Sequence, residues 1–231
     1  MFFPTLPRTR ALMIPVLCAF VGGSLSAAQD FSSYRGLKFG ISTAAAAKEA
    51  DITPDQVRTV HRQPDVIQEI DWQPRESSAN PSGADPVKGA VLSFFNGELF
   101  RIVVAYDRYK IEGMTADDMV HAISLTYGAA ARPKATVPYH SNYGESTPVV
   151  ARWESPEYTY DLVRTGDQAS FAMILYSKQV EPVAEASIVK ALKIEADEAP
   201  QREIDRKKKR DDEERLALEK VRSVNTPNFR P

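Results

Sequence analysis

The chain has few of the residues that build metal and redox sites. Its 231 residues include one cysteine and three histidines. This scarcity excludes a cysteine-built zinc site, a disulfide framework and an iron–sulfur cluster, so we expect no metal and no cofactor. The formal net charge is only −2, so the overall electrostatics predict no nucleic-acid partner. Hydrophobic residues make up 43% of the chain and charged residues 26%, values typical of a folded soluble protein.

The sequence also lacks the short motifs of common enzyme classes. It contains no G-x-S-x-G elbow, Walker A loop, G-x-G-x-x-G motif, H-E-x-x-H motif or EF-hand loop. The three histidines, His61, His121 and His140, are far apart along the chain. We therefore expect no catalytic residues and no enzyme. A hydrolase that uses Asp, Tyr and His alone is the less favoured alternative.

The first 28 residues have the three parts of a secretory signal peptide. Arg8 and Arg10 precede the apolar run Ala11–Val21, which is too short to span a bilayer comfortably. Ser26 and Ala28 then occupy the −3 and −1 positions of a cleavage site. Cleavage after Ala28 would leave a chain with no cysteine and no later membrane-spanning run. These features predict a periplasmic or secreted protein without a stable membrane span.

The clearest local signal is the dipeptide Asn96-Gly97 between two β-rich runs. Asn-Gly favours a type I′ hairpin turn, because both of its residues tolerate positive φ. A two-residue loop with regular pairing would place Val91 opposite Ile102. Alternating apolar residues predict four further strands: Val66–Pro74, Pro148–Ser155, Glu157–Thr165 and Ser170–Lys178.

Helix signals are fewer. Ser42 or Thr43 starts a short alanine-rich helix, and Thr115 with Asp118 forms a capping box at the start of a second helix. A third helix, over 182–194, is amphipathic. We expect its buried face to contain Val183, Ala186, Val189 and Leu192, with Ile188 a further candidate.

The order of these elements suggests a repeat. In each half of the chain a helix precedes a tryptophan-containing strand and then a β-hairpin, although coincidence of ordinary capping signals is the alternative interpretation. The sequence thus predicts an α+β domain over 31–194. It contains two helix-plus-antiparallel-meander units, at about 34–107 and 108–178, followed by a packing helix over 182–194.

Each unit starts with glycine, a hydrophobic residue and a hydroxyl residue: Gly40-Ile41-Ser42 and Gly113-Met114-Thr115. With the short helix and meander that follow, over about 34–178, this pattern resembles two groups. One is the small exported envelope proteins of the SmpA/OmlA outer-membrane-assembly type, and the other is the tandem units of the β-lactamase-inhibitor-protein fold. Members of both groups bind other proteins and are not enzymes, so the resemblance implies protein binding. This chain lacks the acylated cysteine of the assembly lipoproteins, which argues against a lipid anchor.

The segment 197–231 differs in composition from the rest of the chain. Between 197 and 222 nine basic residues balance nine acidic ones, and many lie at i,i+4 spacing, as Lys209 and Glu213 do. We expect a solvated, charged helical tail with Pro200 in its first turn and a frayed end. The candidate partner-binding residues are its basic cluster, Arg206, Lys207, Lys208, Lys209 and Arg210. A merely solvated helix is the alternative, since four acids follow the cluster.

The long loop 128–147 carries the candidate ligand-binding residues Tyr139, His140 and Tyr143. Long loops inside compact domains are often functional, although an ordinary loop is the alternative interpretation here. The favoured hypothesis is an exported, non-enzymatic protein-binding module whose partner is another envelope protein. The alternative is a small-ligand or lipid carrier. A large concave apolar pocket would favour the carrier.

Overall fold

A computed structural model of the chain describes residues 29–74, 85–139, 146–166, 170–228 and 230. The predicted signal peptide lies outside the described residues, as do His140 and Tyr143. Helices and an antiparallel sheet combine into a mixed α+β fold, which confirms the predicted fold class. Among the described helices, none is both long enough and apolar enough to cross a membrane.

Eight strands form one antiparallel sheet, and two further strands near the N-terminus form a small ribbon. The ribbon consists of β1 (Ser33–Tyr34) and β2 (Leu37–Lys38). The sheet strands are β3 (Arg58–His61), β4 (Ile67–Trp72), β5 (Val87–Phe95), β6 (Glu98–Tyr106), β7 (Thr136–Pro138), β8 (Ser146–Glu154), β9 (Tyr158–Thr165) and β10 (Ser170–Ser177). Their order across the sheet is β3-β4-β5-β6-β10-β9-β8-β7.

Each half of the sheet is a four-stranded meander preceded by a helix. Helix α1 (Thr43–Glu49) precedes β3 to β6, and helix α2 (Ala116–Tyr127) precedes β7 to β10. The two halves join where their last strands, β6 and β10, pair antiparallel. The order of elements therefore occurs twice, with one more strand in each unit than the sequence predicts. The additional strands, β3 and β7, are four and three residues long, too short for alternation to identify them.

Matching backbone features start the two helices. Gly40 and Gly113 both have φ of +80°, a conformation that glycine adopts without steric cost. The Ser42 side chain accepts a hydrogen bond from the backbone N–H three residues later. Thr115 and Asp118 form the predicted capping box, in which the Asp118 carboxylate accepts from the Thr115 backbone N–H at 2.8 Å. Both predicted helix starts are therefore confirmed.

The predicted hairpin turn forms, but the strands beyond it differ in register. Asn96-Gly97 has φ values of +50° and +87°, as a type I′ turn requires. Val91 lies opposite Val103, however, and not opposite Ile102 as predicted. The cause is a β-bulge in which Phe100 is an additional residue of β6. A one-residue shift moves side chains to the other face of a sheet.

The two faces of the sheet have different covers. On one face α1 and α2 pack over the main core, where Ile70, Leu92 and Ile102 lie side by side on neighbouring strands. The other face is covered by the segment 135–139 and by the start of helix α3 (Glu181–Asn228). This second face carries several buried charged side chains and therefore differs chemically from the first.

Helix α3 is one continuous helix of 48 residues, about 72 Å long at 1.5 Å per residue. It passes through Pro200, where the sequence predicts a separate tail to begin. The buried residues of its first turns include Ala184, Ser187, Ile188 and Ala191. The predicted face was wrong for Val183, Ala186, Val189 and Leu192, which are exposed, whereas the further candidate Ile188 is buried as predicted. The predicted residues are each three positions apart, and residues at that spacing move gradually around a helix. The buried residues follow the i, i+3, i+4, i+7 spacing, which keeps them on one side of the helix.

Beyond Ala196 the helix has almost no buried surface. Every described residue from 197 onward is exposed except the half-buried Asp212. Exposed ion pairs accompany this part of the helix, including the predicted Lys209–Glu213 pair at 3.9 Å and an Arg202–Glu198 pair at 2.7 Å. The predicted charged C-terminal helix is thus confirmed as an element of the fold.

Candidate functional site

The more apolar of two cavities that lie on opposite faces of the sheet is between α2, the β1–β2 ribbon and the sheet. Its volume is about 370 Å³, and we call it the tyrosine–methionine pocket. Its described lining residues are Tyr34, Arg35, Pro86, Val87, Tyr106, Lys110, Ile111, Met114, Met119, Ala122, Ile123, Thr126, Tyr127 and Met173.

The pocket has a buried apolar floor and an exposed rim. Met119 and Met173 in the floor are 4% and 1% exposed. Arg35, Lys110 and Ala122 in the rim are exposed to solvent. Methionine is unbranched and polarisable, so a floor that contains it adapts to apolar ligands of different shape. The pocket is therefore open at the surface and apolar at depth.

Three tyrosines give the apolar wall a limited polar character. Burial raises the pKa of Tyr34 to about 12, and it also raises the pKa values of Tyr106 and Tyr127. These phenols therefore stay neutral at physiological pH. Tyr106 Oη donates to the Met173 sulfur at 3.8 Å, a weak contact. The wall offers neutral hydroxyl groups to a ligand and no ionised tyrosine.

The rim of the pocket carries a fixed ion pair. Two nitrogens of the Arg35 guanidinium donate to the two carboxylate oxygens of Asp85, at 2.6 and 2.8 Å. This bidentate pairing lowers the pKa of Asp85 and holds the guanidinium 5.7 Å from the centre of the Tyr34 ring. The exposed Lys110 lines the same pocket. The mouth thus presents the Arg35–Asp85 pair and the ammonium group of Lys110, which suits a polar ligand head group.

A row of polar side chains crosses the opposite face of the sheet. Glu69, Ser93 and Arg101 lie directly opposite one another on β4, β5 and β6. The row continues to Arg58 on β3 and to Tyr176 on β10. Glu69, Ser93 and Arg101 are each at most 2% exposed. Charged residues are rarely this buried unless they are paired, and here two ion pairs satisfy much of the row.

One ion pair lies within the row, and the other joins the row to the elements that cover it. Arg58 donates to Glu69 within the sheet. Arg101 donates to Glu181 at the start of α3 and to the Pro138 carbonyl. Arg101 therefore connects the sheet to both segments that cover this face. A buried charge stabilises a structure only where such partners compensate for its desolvation.

The second cavity lies along this row and has a volume of about 220 Å³. We call it the polar cavity. Its described lining residues are Arg58, Glu69, Val91, Ser93, Arg101, Val103 and Tyr139. Glu69 Oε1 is buried and has no hydrogen-bond partner among the described residues. An acceptor left without a donor is costly, and this oxygen lies beneath the cavity surface, where solvent does not reach it.

A third charged pair lies beside the row on β8 and β9. Arg152 donates to both carboxylate oxygens of Asp161, at 2.6 and 2.7 Å, and the Tyr176 hydroxyl is 3.4 Å from one of them. Burial raises the pKa of Asp161, although the bonds from Arg152 oppose this shift. The pair extends the polar surface toward the second unit and does not line either of the two cavities.

The predicted ligand-binding loop is only partly described. Tyr139 is half-buried and forms one wall of the polar cavity, whereas His140 and Tyr143 lie outside the described residues. The predicted partner-binding cluster, Arg206, Lys207, Lys208, Lys209 and Arg210, lies on the exposed part of α3. The structure does not bring Tyr139 into the tyrosine–methionine pocket, and it places the basic cluster in neither cavity.

Sequence reasoning missed both cavities. The tyrosine–methionine pocket joins residues from the ribbon, β5, β6, α2 and β10, and no local pattern connects them. The polar row had a usable signal. Ser93 and Arg101 each interrupt an otherwise apolar β-rich run, and a polar residue within a buried strand often marks a functional or paired position.

In the part of the chain that the structure describes, no three His, Cys, Asp or Glu residues are grouped so as to hold a metal ion. Comparison of the chain with protein-family models, curated proteins and solved structures finds no match. The geometry of the two cavities and of α3 therefore carries the functional argument.

Proposed function

We propose that this chain is an exported, non-enzymatic binding protein that holds a small apolar or amphipathic molecule in the tyrosine–methionine pocket. The observation that carries the proposal is a cavity of about 370 Å³ with a buried methionine floor and an exposed cationic rim. Ligand sites for small molecules are typically apolar clefts of this size with a few polar groups. The favoured sequence hypothesis was protein binding, and this pocket instead favours the carrier alternative.

The lining also argues for binding over catalysis. Apart from Asp85, whose carboxylate is paired with Arg35 at the rim, the described residues around the pocket include no carboxylate and no histidine, the groups that most often transfer protons in enzymes. Its hydroxyl groups belong to Thr126 and to tyrosines whose raised pKa values keep them neutral. Such a wall suits retention of a ligand by apolar contact and neutral hydrogen bonds.

Export is supported by the signal pattern at residues 1–28. The native protein should begin at or near Gln29, and mass determination of its N-terminus measures this directly. A native chain that still began with Met1 outside the cytoplasm would contradict cleavage.

The pocket is tested with a blocking substitution on its rim. Ala122 is exposed on α2 and lines the mouth, so Ala122→Trp should obstruct entry without disturbing the core. Leu125→Trp is the matched control, because Leu125 is 78% exposed on the same helix and does not line the pocket. The probes are anilinonaphthalene sulfonate, which is anionic, and the uncharged phenylnaphthylamine.

We expect both probes to bind with a fluorescence increase, because the methionine floor accepts apolar rings of different shape. Ala122→Trp should abolish the increase and Leu125→Trp should retain it. Absence of probe binding by the unaltered protein would contradict the proposal. Equal binding by the two tryptophan variants would place the probe outside this pocket.

A second candidate function, protein binding through α3, is favoured by a separate observation. The exposed part of the helix carries five aliphatic side chains that are 54–62% exposed: Ile204, Leu216, Leu218, Val221 and Val224. With the basic cluster at 206–210 they offer a surface for an envelope partner. Capture from envelope extract with the chain cut after Ala196, compared with the full mature chain, tests this. If the truncated and the full chain captured the same proteins equally well, the exposed part of α3 would have no role in partner binding.

A further inference from the structure

We propose that the polar cavity is a second binding site, for one neutral polyhydroxylated molecule of monosaccharide size. The site lies on the opposite face of the sheet from the tyrosine–methionine pocket and is independent of it. Ser93, Val91 and Val103 come from β5 and β6, while Tyr139 belongs to the segment that covers this face. With Arg58 on β3 and Glu69 on β4, residues from four strands and a covering segment thus converge on one small volume.

The charges of the cavity favour a neutral ligand. Each guanidinium in its lining is already in contact with a carboxylate, Arg58 with Glu69 and Arg101 with Glu181. An anion would approach the Glu69 carboxylate, and a cation would approach Arg58 and Arg101. Either would gain one attraction and one repulsion at similar range. A molecule without net charge avoids this conflict.

The hydrogen-bonding groups of the cavity require a ligand that both donates and accepts. Glu69 is 2% exposed and its Oε1 atom is closed off from the cavity, so a ligand bonds to the groups that remain accessible. Arg58 is 64% exposed as a side chain and presents further N–H donors. Ser93 contributes a hydroxyl. A ligand hydroxyl group donates to the serine oxygen and accepts from a guanidinium, so a polyol satisfies both with one kind of group.

The size and the apolar parts of the lining select a single sugar ring. A volume of about 220 Å³ corresponds to roughly seven water molecules at about 30 Å³ each, which suits one ring and not two. Val91 and Val103 give an apolar patch, and the half-buried Tyr139 supplies an aromatic ring. The C–H face of a sugar packs against such surfaces while its hydroxyl groups bond at the edge.

The experiment is a saturation-transfer NMR titration of the purified full chain with glucose, galactose and N-acetylglucosamine, and with glycine and alanine as zwitterions of similar polarity. We expect saturable binding of at least one sugar at millimolar concentration. Its affinity should be unchanged between low and high salt, because a neutral ligand is not screened. The amino acids should not compete.

Two substitutions locate the binding. Ser93→Ala should weaken it about fivefold, the loss expected for one neutral hydrogen bond, and Tyr139→Leu should weaken it further by removing the aromatic wall. Ser187→Ala is the matched control, because Ser187 is a buried serine beside Asp65 on the same side of the sheet and outside the cavity. Thermal unfolding checks that each variant folds. Should Tyr139→Leu fail to fold, Ser93→Ala decides alone.

The proposal is overturned if no sugar binds, in which case the cavity holds only water. It is also overturned if glycine or alanine binds in place of the sugars, or if Ser93→Ala and Ser187→Ala bind equally well. None of these outcomes affects the tyrosine–methionine pocket, which is tested with different probes and variants.

Discussion

Removal of the Glu181 carboxylate should strongly destabilise the fold, because it would leave a buried cation. The Arg101 side chain is 1% exposed and that of Glu181 is 10% exposed, and the two are in direct contact. Breaking a buried ion pair by removing one partner typically costs about 3–5 kcal/mol. At about 2–4 °C per kcal/mol for a chain of this size, Glu181→Ala should lower the melting temperature by roughly 10 °C.

Urea unfolding followed by tryptophan fluorescence measures this loss, since Trp153 is buried in the core at 1% exposure. Glu185→Ala is the matched control. Glu185 is exposed one turn further along α3, so its removal should change the free energy of unfolding by at most about 0.5 kcal/mol. Both variants remove one negative charge and replace glutamate by alanine in the same helix. The difference between their free energies of unfolding therefore reports the effect of the buried ion pair.

A double substitution distinguishes an uncompensated charge from lost packing. Arg101→Met with Glu181→Leu replaces the pair by apolar side chains of similar size, which is often neutral or stabilising for buried ion pairs. The double variant should therefore recover at least half of the loss seen in Glu181→Ala. A loss below about 1 kcal/mol in Glu181→Ala, or a double variant less stable than that single variant, would refute the reasoning.

Three further predictions concern the turn, the tyrosines and the tail. Gly97→Val should lower the free energy of unfolding by about 1 kcal/mol or more, because valine resists positive φ and Gly97 has φ of +87°; unchanged urea midpoints would contradict this. The contribution of buried Tyr34 to the free energy of unfolding should be fully present below pH 10 and should be lost as the pH rises toward 12. Tyr34 keeps its proton up to about pH 12 when folded but has an ordinary pKa of 10.0 when unfolded. A urea midpoint that does not change over this range would argue against burial of Tyr34. Truncation after Ala196 should change the free energy of unfolding by no more than about 0.5 kcal/mol, since the removed part is exposed; calorimetry that finds a large drop would show that the tail packs on the domain.

The parts of the fold that the sequence predicts are those decided by a few adjacent residues. Asn96-Gly97 forms its turn because two neighbouring residues accept positive φ. Thr115 and Asp118 start α2 because their side chains reach each other's backbone N–H groups. The order of helix and meander follows from such local signals, and it occurs twice in the structure.

The parts that the sequence does not predict depend on contacts between distant elements. The bulge at Phe100 shifts the register of β6, and no turn signal announces it. The buried stripe of α3 consists mainly of small residues such as Ala184 and Ala191. Hydropathy alone favoured the larger Val183 and Leu192, which remain exposed. Both cavities result from this long-range packing and could not be read from spacing.

The junction between the two units also decides where the sheet ends. The long strands β6 and β10, nine and eight residues, pair with each other in the middle. Among the described strands the outer two are β3 with four residues and β7 with three, the latter ending at Pro138. Long free edges recruit strands from other chains, and short edges or edges with proline resist this. Joining the units through their last strands therefore protects the folded protein against edge-to-edge aggregation.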